Sequence, residues 1–350
     1  MQGFVSFHPV DLALFDDLIA PLVAGGKVDP EAYLQLAPRI RRNGWMARRF
    51  ALALEDRATA AKPPEPEATA SRWTRLRAKL EKIDYRPEES ARKAAAALEP
   101  DLHLDGRPFF IAEGSAEKVA TAVDAYVAAF SEAEVELLAR NQLNHVDADL
   151  ASEIVPVEIQ EPQSDLGYRT ELLAQLKKIY VLAQYAREGR DWIEPDMRAR
   201  PAVEALIERL PWRALSIHSR VKPFWIAREV DGLETICRAA GVPPPDCLSP
   251  AWRVYAGACD TFPRLKEALG LELSGPKDVG AFVAPGDVPE LLRFLAEQGA
   301  RIISAAARQG EGPAAATLLR KVKECAVYAQ RHGFGYLEAS GIVRPEREIG

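Results

Sequence analysis

The sequence predicts an α+β fold that is predominantly helical and consists of two similar domains, residues 1–197 and 198–350. Two observations support this prediction. Stretches with apolar residues at helical spacing dominate the chain, and short β-prone segments lie between them. Three stretches of the first half also return, in the same order, in the second half. These ordered repeats predict an internal duplication, in which each copy has a small sheet packed under helices.

The longest repeat involves two helix-like runs, residues 170–187 and 313–331. The shared pattern is Leu-Leu-x-x-apolar-Lys, then four residues later Val-x-Ala-Gln, with leucine pairs at 172–173 and 318–319. Each run ends at glycine and leads to an aromatic residue two positions before a glutamate. These closing triplets are Trp192-Ile193-Glu194 and Tyr336-Leu337-Glu338.

Two further repeats link short apolar segments. Val5-Ser6-Phe7-His8 resembles Leu215-Ser216-Ile217-His218, and both are predicted as strands that end in histidine before a helix. Phe110-Ile111-Ala112 resembles Phe282-Val283-Ala284, and each is predicted as a strand followed by a glycine turn and a helix cap. We therefore expect the strands that end at His8 and His218 to occupy equivalent places.

The first copy is longer because it contains two insertions. Residues 61–70, AKPPEPEATA, are predicted to be an exposed, mobile linker, because proline and small polar residues bury little apolar surface. Residues 71–83 are predicted to form a basic helix with Trp73, Leu76, Leu80 and Ile83 on one stripe. This helix either packs on its own domain or docks on an acidic partner or an anionic membrane surface.

Other signals place the remaining elements. Asp11, Ser115, Ser131 and Asp287 are expected to begin helices as N-caps. Further strands are expected at residues 4–8, 108–112, 154–159, 214–218 and 280–284, whereas residues 301–307 fit a strand or a helix equally well.

Composition excludes several classes of function. A net charge of −6 and a pI near 5.6 argue against a nucleic-acid partner, which favours a basic surface. The chain has no apolar run of about 18 residues, so we expect no transmembrane segment. The first residues lack the basic start and apolar core of a secretory signal, and we expect a cytoplasmic protein.

No cofactor or metal site is expected. The chain lacks the GxGxxG, GxxxxGK[ST], HExxH and GxSxG patterns. His145-x-Asp147-x-Asp149 has residue types that suit a metal, but this spacing converges only on an extended segment, and a polar loop explains it equally well. The four cysteines match no CxxC pattern, and Cys325 is expected to be a buried structural thiol.

The candidate ligand-binding residues are His8, His218, Arg220, Lys222 and Trp225. Strand ends commonly carry ligand-contacting groups in α/β units, which points to the two histidines. Arg220 and Lys222 could hold a phosphate or carboxylate, and Trp212, Phe224 and Trp225 could wall the site. The competing interpretation is that both histidines are hydrogen-bonded structural residues.

Glu194 and Glu338 are candidate general bases, provided that Trp192 and Tyr336 bury them and raise their pKa. In the alternative, the aromatic residue anchors the chain and the glutamate faces water. We favour the second interpretation for both.

These observations predict a non-enzymatic intracellular binding or regulatory protein, an adaptor or inhibitor of a protein partner. The alternative is an enzyme that acts on a small anionic substrate at the His/Arg/Lys site. The catalytic residues of such an enzyme are unknown from the sequence.

Overall fold

The computed structural model describes residues 4–60, 115–145, 147–158, 164–228, 231–273 and 277–343. This part of the chain is mostly helical, with one four-stranded and one two-stranded sheet, which confirms the predicted α+β, predominantly helical class. Three predicted features lie outside the described residues. They are the linker 61–70, the basic helix 71–83 and the strand at 108–112.

In the described part of the chain, six strands form the two sheets. They are β1 (Phe4–Val10), β2 (Asp191–Ile193), β3 (Ala199–Pro201), β4 (Trp225–Arg228), β5 (Asp278–Val283) and β6 (Gly335–Ser340). The larger sheet has the order β4-β1-β6-β5 with every pair antiparallel, and β2 and β3 form a hairpin. The predicted strands at residues 4–8 and 280–284 are confirmed as β1 and β5, whereas β2, β3, β4 and β6 were not predicted.

Helices account for most of the described residues. They are α1 (Leu12–Leu14), α2 (Ala20–Ala24), α3 (Glu31–Ala60), α4 (Ala116–Ala128), α5 (Glu132–Asn144), α6 (Ala148–Glu153), α7 (Asp165–Arg187), α8 (Ala202–His218), α9 (Leu233–Ala239), α10 (Ala256–Thr261), α11 (Leu265–Ala268), α12 (Val288–Ala307) and α13 (Gly312–His332). A π-helical segment, Phe15–Ile19, joins α1 to α2, and 3-10 segments occupy Ala251–Tyr255 and Pro285–Asp287. None of the helices described is long and apolar enough to cross a membrane.

Several predicted helix starts are confirmed by their hydrogen bonds. The side chains of Asp11, Ser115 and Ser131 accept from backbone N–H groups in the first turns of α1, α4 and α5. Asp287 stands at the N-cap position of α12 but accepts no such bond. Residues 301–307, which fitted strand or helix, are the end of α12.

The predicted strand at residues 214–218 is wrong, because this segment is the last part of helix α8. Leu206, Leu210, Ala214 and Ile217 are buried along α8 at helical spacing. The helix continues through Pro211. The five residues 214–218 taken alone are too few to show the helical spacing of apolar residues, so they were predicted as a strand. The predicted strand at 154–159 is also absent over the described residues 154–158.

The structure does not show the internal duplication. Strand β1 belongs to the first predicted copy, but it pairs with β4 and β6 of the second copy in one sheet. The two repeated runs are both helical, as predicted, yet they lie in different places. Helix α13 packs on β1, β4 and β6, whereas α7 packs against α2, α3, α8 and β2.

The four-stranded sheet is buried on both faces. On one face, residues of α2, α7 and α8 belong to the same apolar core as Phe282, Leu337 and Ala339. On the other face, residues of α4, α12 and α13 pack against Phe7 and Tyr336. A third apolar cluster joins α3, α5 and α6. Side chains therefore alternate between two cores along each strand, which decides where the candidate site residues point.

Candidate functional site

The two candidate histidines lie close together inside the protein. His8 is on β1 and His218 is the last residue of α8; neither side chain is exposed, and their ring centroids are 6.3 Å apart. His8 thus ends no strand, since β1 continues to Val10, and His218 is helical. The structure brings the pair together, but not as two equivalent strand ends.

Hydrogen bonds from nearby residues fix both rings. His8 Nε2 is 2.8 Å from Ser6 Oγ, and His8 Nδ1 is 3.4 Å from Ser219 Oγ. The backbone N–H of Asp11 donates to His218 Nε2 over 3.3 Å. His218 Nδ1 is buried and has no hydrogen-bond partner among the described residues. These bonds are typical of structural histidines that tie β1 to α8.

Aromatic rings complete the surroundings of the pair. Phe224 stacks on His8 at 5.6 Å between centroids, and Phe15 lies 5.8 Å from His218. The predicted wall is therefore partly right, because Phe224 contributes to it. A surface depression that adjoins Phe15, Asp16 and Tyr255 has essentially no space for a water-sized molecule. Small-molecule pockets commonly enclose roughly 300–1,000 Å³, so this depression is too small for a substrate site.

Burial keeps both imidazoles neutral. The pKa of His218 is lowered to about 3, mainly by burial and additionally by the charge of Lys222. The pKa of His8 is lowered well below its ordinary value, mainly by burial and additionally by His218. The charged form is disfavoured because the protein interior solvates it poorly. The histidines therefore add no positive charge that could attract an anion at neutral pH.

The two candidate cations are already paired with carboxylates of this chain. Lys222 Nζ is 2.8 Å from Asp11 Oδ2, and Arg220 forms an ion pair with Glu171. Lys222 also lies 4.6 Å above the ring of Phe334. Each cation is about one-fifth exposed. An anionic ligand would have to displace these carboxylates.

The expectation that a tryptophan walls this site is wrong. Trp225 points to the opposite face of the sheet, where its Nε1–H donates to Glu324 Oε2 over 3.0 Å. Trp212 contacts the cations Arg213 and Lys277 instead of the histidines. Side chains alternate across a strand, so Trp225 on β4 and His8 on β1 face different cores.

Glu338 is the functional candidate that the sequence interpretation undervalued. We favoured a water-facing side chain, but Glu338 is 1% exposed. Tyr336 Oη donates to its Oε1 over 2.7 Å, and the N–H of Leu233 donates to its Oε2 over 3.1 Å. Burial, and secondarily the charge of Glu234, raises the pKa of Glu338 to about 7. The signal was present in the sequence, since Tyr336 precedes Glu338 by two residues on one strand face.

Glu194, the other candidate base, lies in a different environment. Its side chain is 14% exposed and forms ion pairs with Arg200 and Arg209. Burial alone would raise the pKa of Glu194, but the two arginines outweigh burial and lower it. Glu194 is therefore a structural carboxylate of the β2–β3 hairpin and is poorly suited to accept a proton.

The remaining candidate groups also have structural positions. All four cysteines are buried free thiols, which confirms the prediction for Cys325, and burial raises their pKa values. In the His145-x-Asp147-x-Asp149 segment, the carboxylate of Asp147 caps α6 by accepting from Leu150 N at 2.9 Å. Among the described residues no group of three or more potential ligands is arranged to hold a metal ion.

Comparison with known proteins adds no functional information. No family model, no curated protein and no solved structure matches the chain.

Proposed function

We propose that this chain is a non-enzymatic intracellular binding or regulatory protein that acts on a protein partner. The observation that carries the proposal is an exposed apolar stripe on α7. Leu166 is 73% exposed and Leu173 is 45% exposed, and because they lie seven positions apart, both are on one side of the helix. We call Leu166, Thr170, Leu173 and Lys177, all exposed, the α7 outer face.

The chemistry of the α7 outer face favours one kind of partner. Two leucines one heptad apart form the kind of apolar stripe on which a second amphipathic helix packs. Lys177 lies one turn after Leu173 and is exposed, as is its neighbour Lys178. We therefore propose that the partner contributes an amphipathic helix whose apolar stripe is flanked by acidic residues.

The closed histidine site supports a binding protein over an enzyme. The buried imidazoles are neutral, and Arg220 and Lys222 are paired within the chain. A substrate site of the predicted type would need exposed, unneutralised cations around a pocket.

Site-specific photo-crosslinking tests this function. A photoreactive residue at position 170 should capture a protein from a lysate of the source organism. The captured protein should then bind the purified chain directly, and Leu166→Glu with Leu173→Glu should abolish this binding. Leu137→Glu is the matched control, because Leu137 is 58% exposed on a different helix, α5.

Two outcomes would contradict the proposal. One is direct binding that survives the double substitution on α7. The other is a rise in melting temperature with millimolar inorganic phosphate or citrate that disappears in Arg220→Ala and Lys222→Ala. The second outcome would favour the enzyme with a small anionic substrate.

A further inference from the structure

Two cations lie over the ring of one tryptophan on α8. The guanidinium carbon of Arg213 is 4.5 Å and Lys277 Nζ is 4.6 Å from the centroid of the Trp212 ring. Trp212 and Arg213 are partly exposed, and Lys277 is exposed. We call these three residues the Trp212 patch. The indole ring brings two positive charges from distant parts of the chain to one place on the surface.

No carboxylate neutralises Arg213 among the described residues. Its guanidinium donates to the neutral Gln175 Oε1 over 2.9 Å, and its Nε is buried without a hydrogen-bond partner there. Arg209, one turn earlier on α8, is paired with Glu194. Burial, and secondarily the like charge of Arg209, lowers the pKa of Arg213. Because arginine stays protonated at neutral pH, this side chain carries an uncompensated charge.

Lys277 is also not neutralised in the described part of the chain. It forms no ion pair there, and its ammonium group contacts the indole ring. The adjacent acid, Asp278, accepts from the N–H of Val279 at 2.9 Å. Arg220 and Lys222 differ, because each of them has a carboxylate partner. Two uncompensated cations at one ring repel each other, so an anionic ligand that pairs with them is favoured.

The indole of the Trp212 patch stands on packed elements of the core. Tyr255 Oη donates to the backbone oxygen of Pro211 over 2.9 Å, which ties the 3-10 segment that contains Tyr255 to α8. A second indole–cation pair lies on elements joined to α8 in this way. Lys266 Nζ is 4.8 Å from the ring of Trp252, which belongs to the same 3-10 segment, and α11, which carries Lys266, packs on α8.

The arrangement suits a carboxylate ligand. An arginine that stacks on an aromatic face keeps its N–H groups in the plane of the guanidinium, where they donate to a carboxylate in pairs. A lysine beside it supplies a second charge that is less directional. Tryptophan and arginine are also enriched among the residues that dominate the energy of protein–protein interfaces. These features are typical of a surface that binds acidic side chains of a protein.

We propose that the Trp212 patch is a docking site for an acidic segment of a protein, whose Asp or Glu carboxylates pair with Arg213 and Lys277. A protein segment is favoured over a nucleic acid or an anionic membrane, because the chain has a net charge of −6 and an extended anionic surface would repel it. A short acidic segment meets only the local positive charge.

The Trp212 patch is separate from the α7 outer face. Gln175, which bonds to Arg213, follows Leu173 by two positions and therefore lies about 200° around α7 from it. A partner helix on the α7 outer face does not cover the Trp212 patch. This inference is thus independent of the proposed function.

Binding to an array of synthetic dodecapeptides tests the proposal with the full chain. The peptides contain zero, three or six acidic residues among leucine, phenylalanine, serine and glycine. Each acidic peptide has an amide counterpart, in which Asn and Gln replace Asp and Glu. Interferometry then measures the dissociation constants of the tightest-binding pairs. The acid preference is the ratio of the dissociation constant of the amide peptide to that of the acidic peptide.

We expect the unmodified chain to prefer the acidic peptides. The variant with Arg213→Gln and Lys277→Gln should bind them about ten-fold more weakly, because two charge pairs are lost. Arg293→Gln with Arg308→Gln is the matched control, since both arginines are exposed, at α12 and its C-terminal end, and the net charge changes equally. The control should keep the acid preference. The absence of a preference in the unmodified chain, or an equal loss in the control, would overturn the proposal.

A charge reversal covers the case in which substitution of Arg213 disturbs the fold. Lys277 is exposed, so Lys277→Glu leaves the core intact. This variant should bind acidic peptides more weakly than Lys277→Gln does, because it adds a repelling charge. Equal affinities of the two variants would contradict a direct contact between Lys277 and the peptide.

Two further measurements identify the surface and the kind of ligand. Leu166→Glu with Leu173→Glu should leave the acid preference unchanged. Its loss would place the peptides on the α7 outer face and overturn this inference. A 15-nucleotide oligothymidylate and vesicles with 30% phosphatidylserine should bind more weakly than the acidic peptides. Tighter binding of either one that disappears in Arg213→Gln with Lys277→Gln would overturn the assignment to a protein segment.

Discussion

The β2–β3 hairpin and strand β6 carry similar sequences but place their glutamates in opposite electrostatic environments. Trp192-Ile193-Glu194 and Tyr336-Leu337-Glu338 each follow a long helix and a glycine. Glu194 lies at the rim of the protein with two arginines, which lower its pKa despite burial. Glu338 lies in the centre of the sheet beside a tyrosine and a second acid, and its pKa is raised.

The difference shows that position in the sheet decides the chemistry of this motif. Strand β2 belongs to a two-stranded hairpin, where Arg200 of β3 and Arg209 of α8 reach the carboxylate. Strand β6 pairs with β1 and β5, and α13 covers it. Glu194 is partly exposed to water and paired with two arginines, whereas Glu338 accepts hydrogen bonds from two neutral donors, Tyr336 Oη and Leu233 N.

The largest expected effect is at Glu338. The free energy of unfolding of the unmodified protein should fall as the pH rises from 5 to 9. This fall should exceed that of the Glu338→Gln variant by roughly 2–3 kcal/mol. The reason is that the pKa of Glu338 is about 7 in the folded protein but near its ordinary 4.5 in the unfolded chain. As the pH rises between these two values, the unfolded chain loses its proton first and is stabilised relative to the fold. Urea unfolding at each pH measures the difference. Parallel pH profiles of the two proteins would show that Glu338 is ionised in the fold.

A smaller loss is expected for Gly232→Ala. The new methyl group would push the Glu338 carboxyl group off Leu233, and the strain and lost hydrogen bond should cost about 1–3 kcal/mol. Gly286→Ala is the matched control, because a Cβ there meets no atom within 4 Å. Equal melting temperatures for the two variants would argue against the close approach.

The smallest effect is expected for Glu194→Gln. Ion pairs near the surface are commonly worth about 0–1 kcal/mol, and both arginines keep partial access to water. The loss should appear only above the lowered pKa of Glu194, where its carboxylate is ionised, and should vanish as the pH falls through that value. A loss that grows at acid pH would have the wrong sign for this arrangement.

The sequence predicted local features well because local chemistry determines them. Apolar spacing placed α7 and α13, and the side chains of Asp11, Ser115 and Ser131 begin helices as expected. Strands were harder to predict from the sequence. For example, β6 begins at a glycine, and its short segment is equally compatible with a loop. The segment at 214–218 has an apolar run too short to distinguish strand from helix.

The sequence identified residues of the candidate site but not the charges that surround them. His8 and His218 do lie close together, and Asp11 contacts both His218 and Lys222, yet the sequence did not reveal that Asp11 and Glu171 neutralise the two cations. These ion pairs join residues 211 and 49 positions apart, and pairing over such distances depends on tertiary structure. The similarity of residues 5–8 and 215–218 was misleading for the same reason, because one segment is a strand and the other a helix.

The most direct measurement is the titration of both glutamates in one sample by NMR of the side-chain carboxyl carbons. The unmodified protein, labelled with ¹³C at glutamate and assigned with Glu194→Gln and Glu338→Gln, is followed from pH 3 to pH 9. We expect Glu338 to titrate near pH 7 and Glu194 to titrate below its ordinary value of 4.5. Titration of both carboxyl groups at or below 4.5 would contradict the account, because Glu338 would then be ionised in the fold at neutral pH.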